Sequence, residues 1–215
     1  MRKPFAHRRG EAGFSLIELL IVIALIALMA VWGVPAFLNT LNRVRVTAAA
    51  REIATLMQVA RLEAIKRSGQ NGNLGNEVTA VTYDEATRTF RVDVDDQLET
   101  APDPGAWDPD STIGGIYVLP KNVTVEAPGG VAEDAVDGWD EVAVVEDQWE
   151  GPIFHSDGSA RAAGAFRLFD SRGNYLEVRI DFPATGKIAI QKWFGGDTDT
   201  DWFENGEANH KWQWY

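Results

Sequence analysis

The chain of 215 residues contains no cysteine. Disulfide staples, thiolate metal ligands and cysteine nucleophiles are therefore excluded, and a folded domain must rest on its own apolar core, for which about 145 residues suffice. Histidine is nearly as scarce: beyond His7 there are only His155 and His210. Neither G-x-S-x-G nor H-E-x-x-H occurs, and Gly72, Gly75, Gly114, Gly115, Gly129 and Gly130 read as loop residues rather than as a phosphate cradle behind a strand. No catalytic constellation emerges, and the expectation is that the protein is not an enzyme. Positive charge is also short. Residues 69–215 hold ten Lys or Arg against twenty-eight Asp or Glu, whereas residues 39–68 hold six basic and two acidic side chains. Nucleic-acid binding depends on neutralising phosphates with clustered cations, so the acidic portion disfavours DNA or RNA as a partner and is suited to solubility outside a membrane.

What the sequence does have is one long apolar run. Sixteen consecutive residues from Leu19 to Val34 carry no polar side chain, and the wider stretch from Phe14 to Leu38 counts twenty-five. At about 1.5 Å per residue that is about 37 Å of helix, enough to cross a bilayer. Ahead of it, Arg2, Lys3, Arg8 and Arg9 face the single acid Glu11, a basic flank of the kind that stays on the cytoplasmic side. A secretory signal has a shorter apolar core with its small-residue cleavage site behind it; here the small residue, Gly13, stands in front. Glu18 interrupts the entrance to the run. A carboxylate near the middle of a bilayer costs about 2.5–3.5 kcal/mol on insertion scales, so it needs a partner. The plain alternative is an acid snorkelling to the interface with no role.

Gly13-Phe14-Ser15-Leu16-Ile17-Glu18 resembles the class III signal of type IV prepilins and type II secretion pseudopilins. The resemblance implies that a prepilin peptidase cuts between Gly13 and Phe14 and that the new amino group of Phe14 is methylated. It also implies that Glu18 meets the Phe14 ammonium of a neighbouring subunit while both helices lie in lipid, which relieves two desolvation costs together. Pro35 falls where the resembling proteins commonly have a proline that loosens the helix; without the resemblance it reads as a kink or a break at the membrane exit, with Gly33 assisting.

Beyond Pro35, Ala49, Ile53, Leu56, Met57, Ala60 and Ala64 recur at helical spacing, with Arg51, Glu52, Gln58, Arg61 and Lys66 mostly on other faces. One helix from Phe14 to Ser68 is expected, stopped by Gly69, its amphipathic second half packing on a β domain or, alternatively, lying on the membrane surface. Turn residues then recur every eight to twelve positions. Strands are expected at Val78–Tyr83, Thr89–Val94, Ile116–Leu119, Val123–Val125, Val142–Val145, Arg161–Phe169, Tyr175–Phe182 and Lys187–Trp193. Turns at 84–87, 171–174 and 183–186 join neighbours among them. Leu176, Val178, Ile180 and Phe182 should share the buried face of one strand, with Glu177, Arg179 and Asp181 opposite.

Within this region the resemblance narrows to the GspH/FimT branch of pseudopilins and minor pilins. The matching segments are 48–67 of the helix, Phe154-His155-Ser156-Asp157-Gly158, and Thr185-Gly186-Lys187-Ile188-Ala189-Ile190, where Lys187 stands in place of the usual arginine. Read from the residues alone, Asp157-Gly158 is a turn pair, His155 a satisfied or solvated histidine, and Lys187 a solvent-facing side chain. Residues 95–150 match nothing.

Two acidic clusters raise calcium. Asp197, Asp199 and Asp201 alternate with threonines and Glu204 follows, but Trp202 and Ala208 occupy the positions where an EF-hand needs glycine and glutamate, so a solvated loop competes with a calcium loop. Asp93, Asp95, Asp96 and Glu99 form the second cluster. No other cofactor is expected. Trp193, Phe194, Trp202, Phe203, Trp212, Trp214 and Tyr215 concentrate late in the sequence, and most are expected to be buried against the β domain.

The resulting expectation is an α+β, pilin-like chain: a basic leader over 1–13, a transmembrane and assembly helix over 14–38, its amphipathic continuation over 39–68, and a periplasmic antiparallel β head, sheet or sandwich, with an acidic, aromatic tail over 69–215. By resemblance it is a minor pseudopilin of a type II secretion system in the bacterial inner membrane, near the tip of the pseudopilus, with prepilin peptidase, other major and minor pseudopilins and secreted proteins as partners. A FimT-like minor pilin of type IV pili and a signal-anchored periplasmic enzyme or binding module are the alternatives.

Overall fold

In the computed structural model the residues described are 15–67, 78–95, 111–129, 134–139, 151–195 and 201–212. A single α-helix, α1, runs from Leu16 to Arg67. The chain divides into two compact units at residue 40, so the first part of α1 belongs to residues 1–40 and the rest of α1 to the domain of residues 41–215.

In that second unit α1 buries Val46, Ala49, Ala50, Ile53, Ala54, Met57, Ala60 and Ala64. Five of the eight are alanines, and small side chains let a helix approach a sheet closely. The stripe is as expected, except that Leu56 is only partly buried and Val46, Ala50 and Ala54 extend it. The expected stop at Gly69 lies outside the described residues.

Two antiparallel sheets receive that stripe. The first has the order β3-β2-β1-β6, from β1 (Val78–Asp84), β2 (Thr89–Asp95), β3 (Ser111–Val118) and β6 (Ile153–Phe154). The second has the order β10-β9-β8-β7-β4, from β4 (Thr124–Val125), β7 (Gly164–Phe169), β8 (Tyr175–Ile180), β9 (Ile188–Trp193) and β10 (Trp202–Phe203), while β5 (Val136–Asp137) also pairs with β7. A long amino-terminal helix on antiparallel sheets is an α+β, pilin-like architecture. Phe90 of β2 meets Phe166 of β7 edge to face at 5.0 Å, and Trp139 meets the same ring at 4.7 Å, so aromatic contacts join the two sheets.

The three expected turns are present. Asp84 Oδ1 accepts the Thr87 N–H at 3.2 Å, and hydrogen bonding from the Thr87 side chain, then from its backbone, holds the Asp84 carboxyl below its usual range. Asp170 Oδ1 accepts the N–H groups of Arg172 and Asn174, closing the β7–β8 hairpin. Pro183–Thr185 forms one 3₁₀ turn ended by Gly186 at φ 56°.

Arg61 of α1 ties two of the motifs together. Its Nε donates to the Gly158 carbonyl at 2.9 Å. Gly158 has φ 82°, and a Cβ there would lie 2.8 Å from Ile65 Cδ1. A Cβ on Gly186 would lie 2.5 Å from the Gly158 oxygen. The turns at 157–158 and 183–186 are thus stacked under one arginine, and each needs glycine for its backbone and for space. Asp157 is the turn residue expected: its Oδ1 accepts the Ser159 N–H at 2.8 Å, and hydrogen bonding from the Ser159 side chain, then from its backbone, lowers the carboxyl's pKa.

Some expectations fail for identifiable reasons. β8 ends at Ile180, so the alternation stops there and Phe182, expected on the buried face, is 65% exposed at the start of the 3₁₀ turn. β7 begins at Gly164, not Arg161. Glu177, expected on the outer face of β8, is fully buried together with Arg167 of β7. Arg167 Nε lies 3.5 Å from Glu177 Oε2, Arg179 donates to Glu177 Oε1 at 2.8 Å, and Arg167 donates to Asp137 Oδ2 at 2.9 Å. Trp202 of β10 covers the cluster, 5.6 Å from Arg167 Cζ. Burial pushes the Glu177 carboxyl up, against the pull of Arg179 and Arg167. Of the late aromatic residues described, only Trp202 is buried; Trp193, Phe194, Phe203 and Trp212 are half-buried, Trp212 packing against the core and the others meeting neighbouring rings. Trp214, Tyr215 and the strand expected at Val142–Val145 lie outside the described residues.

Two stability outcomes follow. Gly186→Ala should lower stability by more than 1 kcal/mol, since it combines a left-handed backbone with an overlap, while Gly173→Ala, also at positive φ but in open space, should cost less; chemical denaturation of the full chain in detergent compares them. Arg167→Met should cost about 3 kcal/mol by leaving Glu177 short of a partner, and adding Glu177→Leu should restore part of that loss. A double variant weaker than both singles would show that the pair is not the source.

Candidate assembly site

Ser15 precedes the first helical residue. Its carbonyl accepts the N–H groups of Glu18 at 3.1 Å and Leu19 at 3.2 Å, and its Oγ accepts the Glu18 N–H at 3.3 Å. Ser15 is therefore the N-cap of α1 and Glu18 its third helical residue, in the Ser-x-x-Glu spacing of a capping box. That spacing is visible in the sequence, yet the expectation for Glu18 above rests on its charge alone. An acid in the first turn also favours the positive end of the helix dipole, by about 0.3–1 kcal/mol. This local benefit is smaller than the cost of about 2.5–3.5 kcal/mol for a carboxylate held in lipid. Glu18 is exposed, and among the described residues no cationic side chain pairs with it. A partner that offsets the larger cost has to come from elsewhere. Gly13 and Phe14, the expected cleavage pair, lie outside the described residues.

From Leu16 to Leu38 the helix is apolar on every side and its large side chains are exposed, Trp32 at 78% and Leu16 at 76%. An all-round apolar surface suits lipid or a bundle of similar helices rather than water. Among the described residues α1 is the one helix long and apolar enough to cross a membrane. Pro35 lies within it without ending it. Having no N–H, Pro35 cannot pair with the carbonyl of Val31, while Thr40 Oγ1 donates back to the Ala36 carbonyl at 3.1 Å. The break considered for Pro35 does not occur; one backbone bond of the helix is missing there.

Of the four acidic candidates for calcium, Asp197 and Asp199 lie outside the described residues; Glu204 Oε1 sits 3.6 Å from Lys187 Nζ, and the Asp201 backbone carbonyl accepts the Phe194 N–H at 3.0 Å. Among the described residues no three His, Asp or Glu side chains gather as a metal site. Asp93, from the second acidic cluster, is buried and accepts hydrogen bonds from Thr82 at 2.9 Å, Thr112 at 2.8 Å and Arg91 at 2.6 Å. His210 stacks on Phe203 with ring centroids 3.8 Å apart and meets Phe194 edge-on at 4.8 Å. His155 is half-buried; its N–H donates to the Ser159 carbonyl and its carbonyl accepts the Gly158 N–H, so the 155–159 turn closes on itself.

No curated protein and no solved structure matches the chain. Residues 8–34 match the family model described as the prokaryotic N-terminal methylation motif, a stretch that covers the end of the leader, Gly13, Phe14, Glu18 and most of the apolar run. The chain therefore opens with a type IV pilin-like prepilin signal, joined to a helix able to anchor it in a membrane by a single pass.

Proposed function

We propose that this protein is a minor pseudopilin of a type II secretion system, a structural subunit that assembles near the tip of a periplasmic pseudopilus and helps move proteins across the outer membrane. The observation that carries the subunit reading is a lone carboxylate, Glu18, in the first turn of a helix whose apolar side chains are exposed on all sides. The methylation motif implies processing by prepilin peptidase and assembly with other pilins. Cutting between Gly13 and Phe14 places a methylated ammonium four residues ahead of Glu18. Between staggered chains the acid of one subunit meets the amine of the next, and lateral packing of the apolar helices holds them together. Pro35 gives the packed helix a point where one backbone bond is absent.

The choice of secretion over DNA uptake rests on charge. Residues 69–215, with twenty-eight acids against ten bases, repel polyanions, and the basic excess sits on the helix instead. The head is placed in the periplasm by the basic leader, which keeps the amino end inside.

Intact mass measurement of protein from cells containing prepilin peptidase should give a chain beginning at N-methylated Phe14, and Gly13→Val should leave the leader attached. Glu18→Ala should be processed normally but enter filaments at least about tenfold less, the factor that corresponds to losing about 1.4 kcal/mol of the lipid-buried pairing. Normal incorporation of Glu18→Ala would remove the role assigned to this residue.

A further inference from the structure

Three polar side chains are buried together at the end of the second sheet where the β7–β8 hairpin turns. Asp170, Asn174 and Lys192 are 1%, 3% and 3% exposed. Leu168, Leu176 and Lys192 are partners across β7, β8 and β9, so they share one face of the sheet. Asp170 stands two residues past Leu168 and Asn174 two before Leu176. The Asp170 N–H donates to the Asn174 carbonyl at 3.1 Å, which carries the pairing one step further and puts both side chains on that same face. Lys192 is therefore the diagonal neighbour of Asn174, about 7–8 Å away and within reach of a long side chain. Its amine leans that way: Nζ lies 5.3 Å from the centre of the Phe194 ring, and Phe194, two residues past Lys192, falls opposite Asn174 when the register is continued.

The chemistry of the three groups is complementary. Asn174 Nδ2 donates to Asp170 Oδ2 at 2.8 Å, while Asn174 Oδ1 is buried with no hydrogen bond among the described residues. Closing the hairpin accounts for the first of these and leaves the second unexplained. Burial pulls the pKa of the Lys192 amine down, against the opposing charge of Asp170. A cavity of about 400 Å³ opens beside the cluster, with Gly173, Lys192, Trp193 and Phe194 in its wall.

We infer that Lys192 and Asn174 join in an intramolecular isopeptide bond that the protein makes for itself, with Asp170 as the proton carrier. The uncharged Nζ attacks Asn174 Cγ. Asp170 takes the proton that the attacking nitrogen releases and passes it to Nδ2, the atom it already touches; the Cγ–Nδ2 bond breaks, and ammonia leaves through the cavity. A primary amine and a primary amide become one secondary amide and ammonia, with no oxidant and no cofactor. Burial serves both reactants: it favours the neutral amine, and it holds amine and amide where an approach to about 3–3.5 Å recurs for as long as the fold lasts. The product ties β8 to β9 next to the hairpin. It lies wholly within residues 170–192 and is independent of the assembly reading.

The test is intact mass measurement of the denatured full chain, followed by tryptic mapping. Wild type should be lighter than its sequence by one ammonia, and trypsin should not cut after Lys192, giving a branched peptide that joins the segments of Asn174 and Lys192. Lys192→Arg, which keeps the charge, and Asn174→Ala should each show the full mass. Asp170→Asn should form the bond at least about a hundredfold more slowly in a time course after cell-free synthesis, the low end of what a positioned proton-transfer group supplies. Unfolding midpoints check that the variants are folded, and Lys192→Arg leaves both hairpin groups in place, so its result stands even where Asp170→Asn unfolds. A wild-type chain of full mass that is cut after Lys192 would overturn the proposal. So would an ammonia loss confined to the Asn174 peptide with Lys192 still cleaved, which marks a succinimide at that asparagine. Bond formation in Asp170→Asn at the wild-type rate would overturn the role of Asp170. Glu18→Ala should carry the bond in full, so failure here is distinguishable from failure of the assembly reading.

Discussion

Everything in the head depends on how closely α1 can lie against its two sheets. Ala49, Ala50, Ala54, Ala60 and Ala64 give the helix a nearly flat buried face, into which Ile53 and Met57 project as the larger fillers. Side chains from both sheets, Phe90, Phe154, Phe166, Leu168 and Leu176 among them, occupy the space the alanines leave. The close approach in turn lets Arg61 reach the Gly158 carbonyl, and that bond fixes the stacked turns at 157–158 and 183–186. A bulkier stripe would hold the helix off and leave the arginine short of its acceptor. The glycine motifs are thus tied to helix packing through one hydrogen bond and two close approaches.

The same helix carries two surfaces with different solvents. Up to Leu38 no face is protected, and the stabilisation of burial is deferred to whatever surrounds the chain. From Asn42 onward one face is already covered. Glu18 marks the unprotected part because a carboxylate is tolerated there only with help, and capping the helix offsets just a fraction of its cost in lipid.

Much of this was legible in the sequence where a period is long enough to register. The α1 stripe, the β1–β2 pair and the β7–β8–β9 meander each repeat their pattern over six or more residues, and all were found near their observed bounds. The two-residue strands β5, β6 and β10 were not, since two residues establish no alternation; the equally short β4 lies inside the expected Val123–Val125, where β-branched residues cluster. Glu177 fails expectation for a different reason. Alternation assigns it to an outer face, and it cannot show that a later segment returns to cover that face with Trp202. Phe182 failed at a strand end, where one apolar residue past the last ladder bond follows the turn instead of the sheet. The capping role of Ser15 was readable from its spacing to Glu18, but the charge of the acid drew attention away from the hydroxyl three residues before it. For the assembly site itself, the acid and the proline are identifiable from residue type.

The placement of Trp202 over Arg167 and Glu177 makes the dryness of a buried ion pair depend on a residue late in the chain. A chain ending before β10 would leave that pair facing water, and β9 would lack its outer neighbour. The last strand therefore works as a cover over charge as well as an edge of the sheet, and truncation ahead of it should leave hydrated what the complete domain keeps dry.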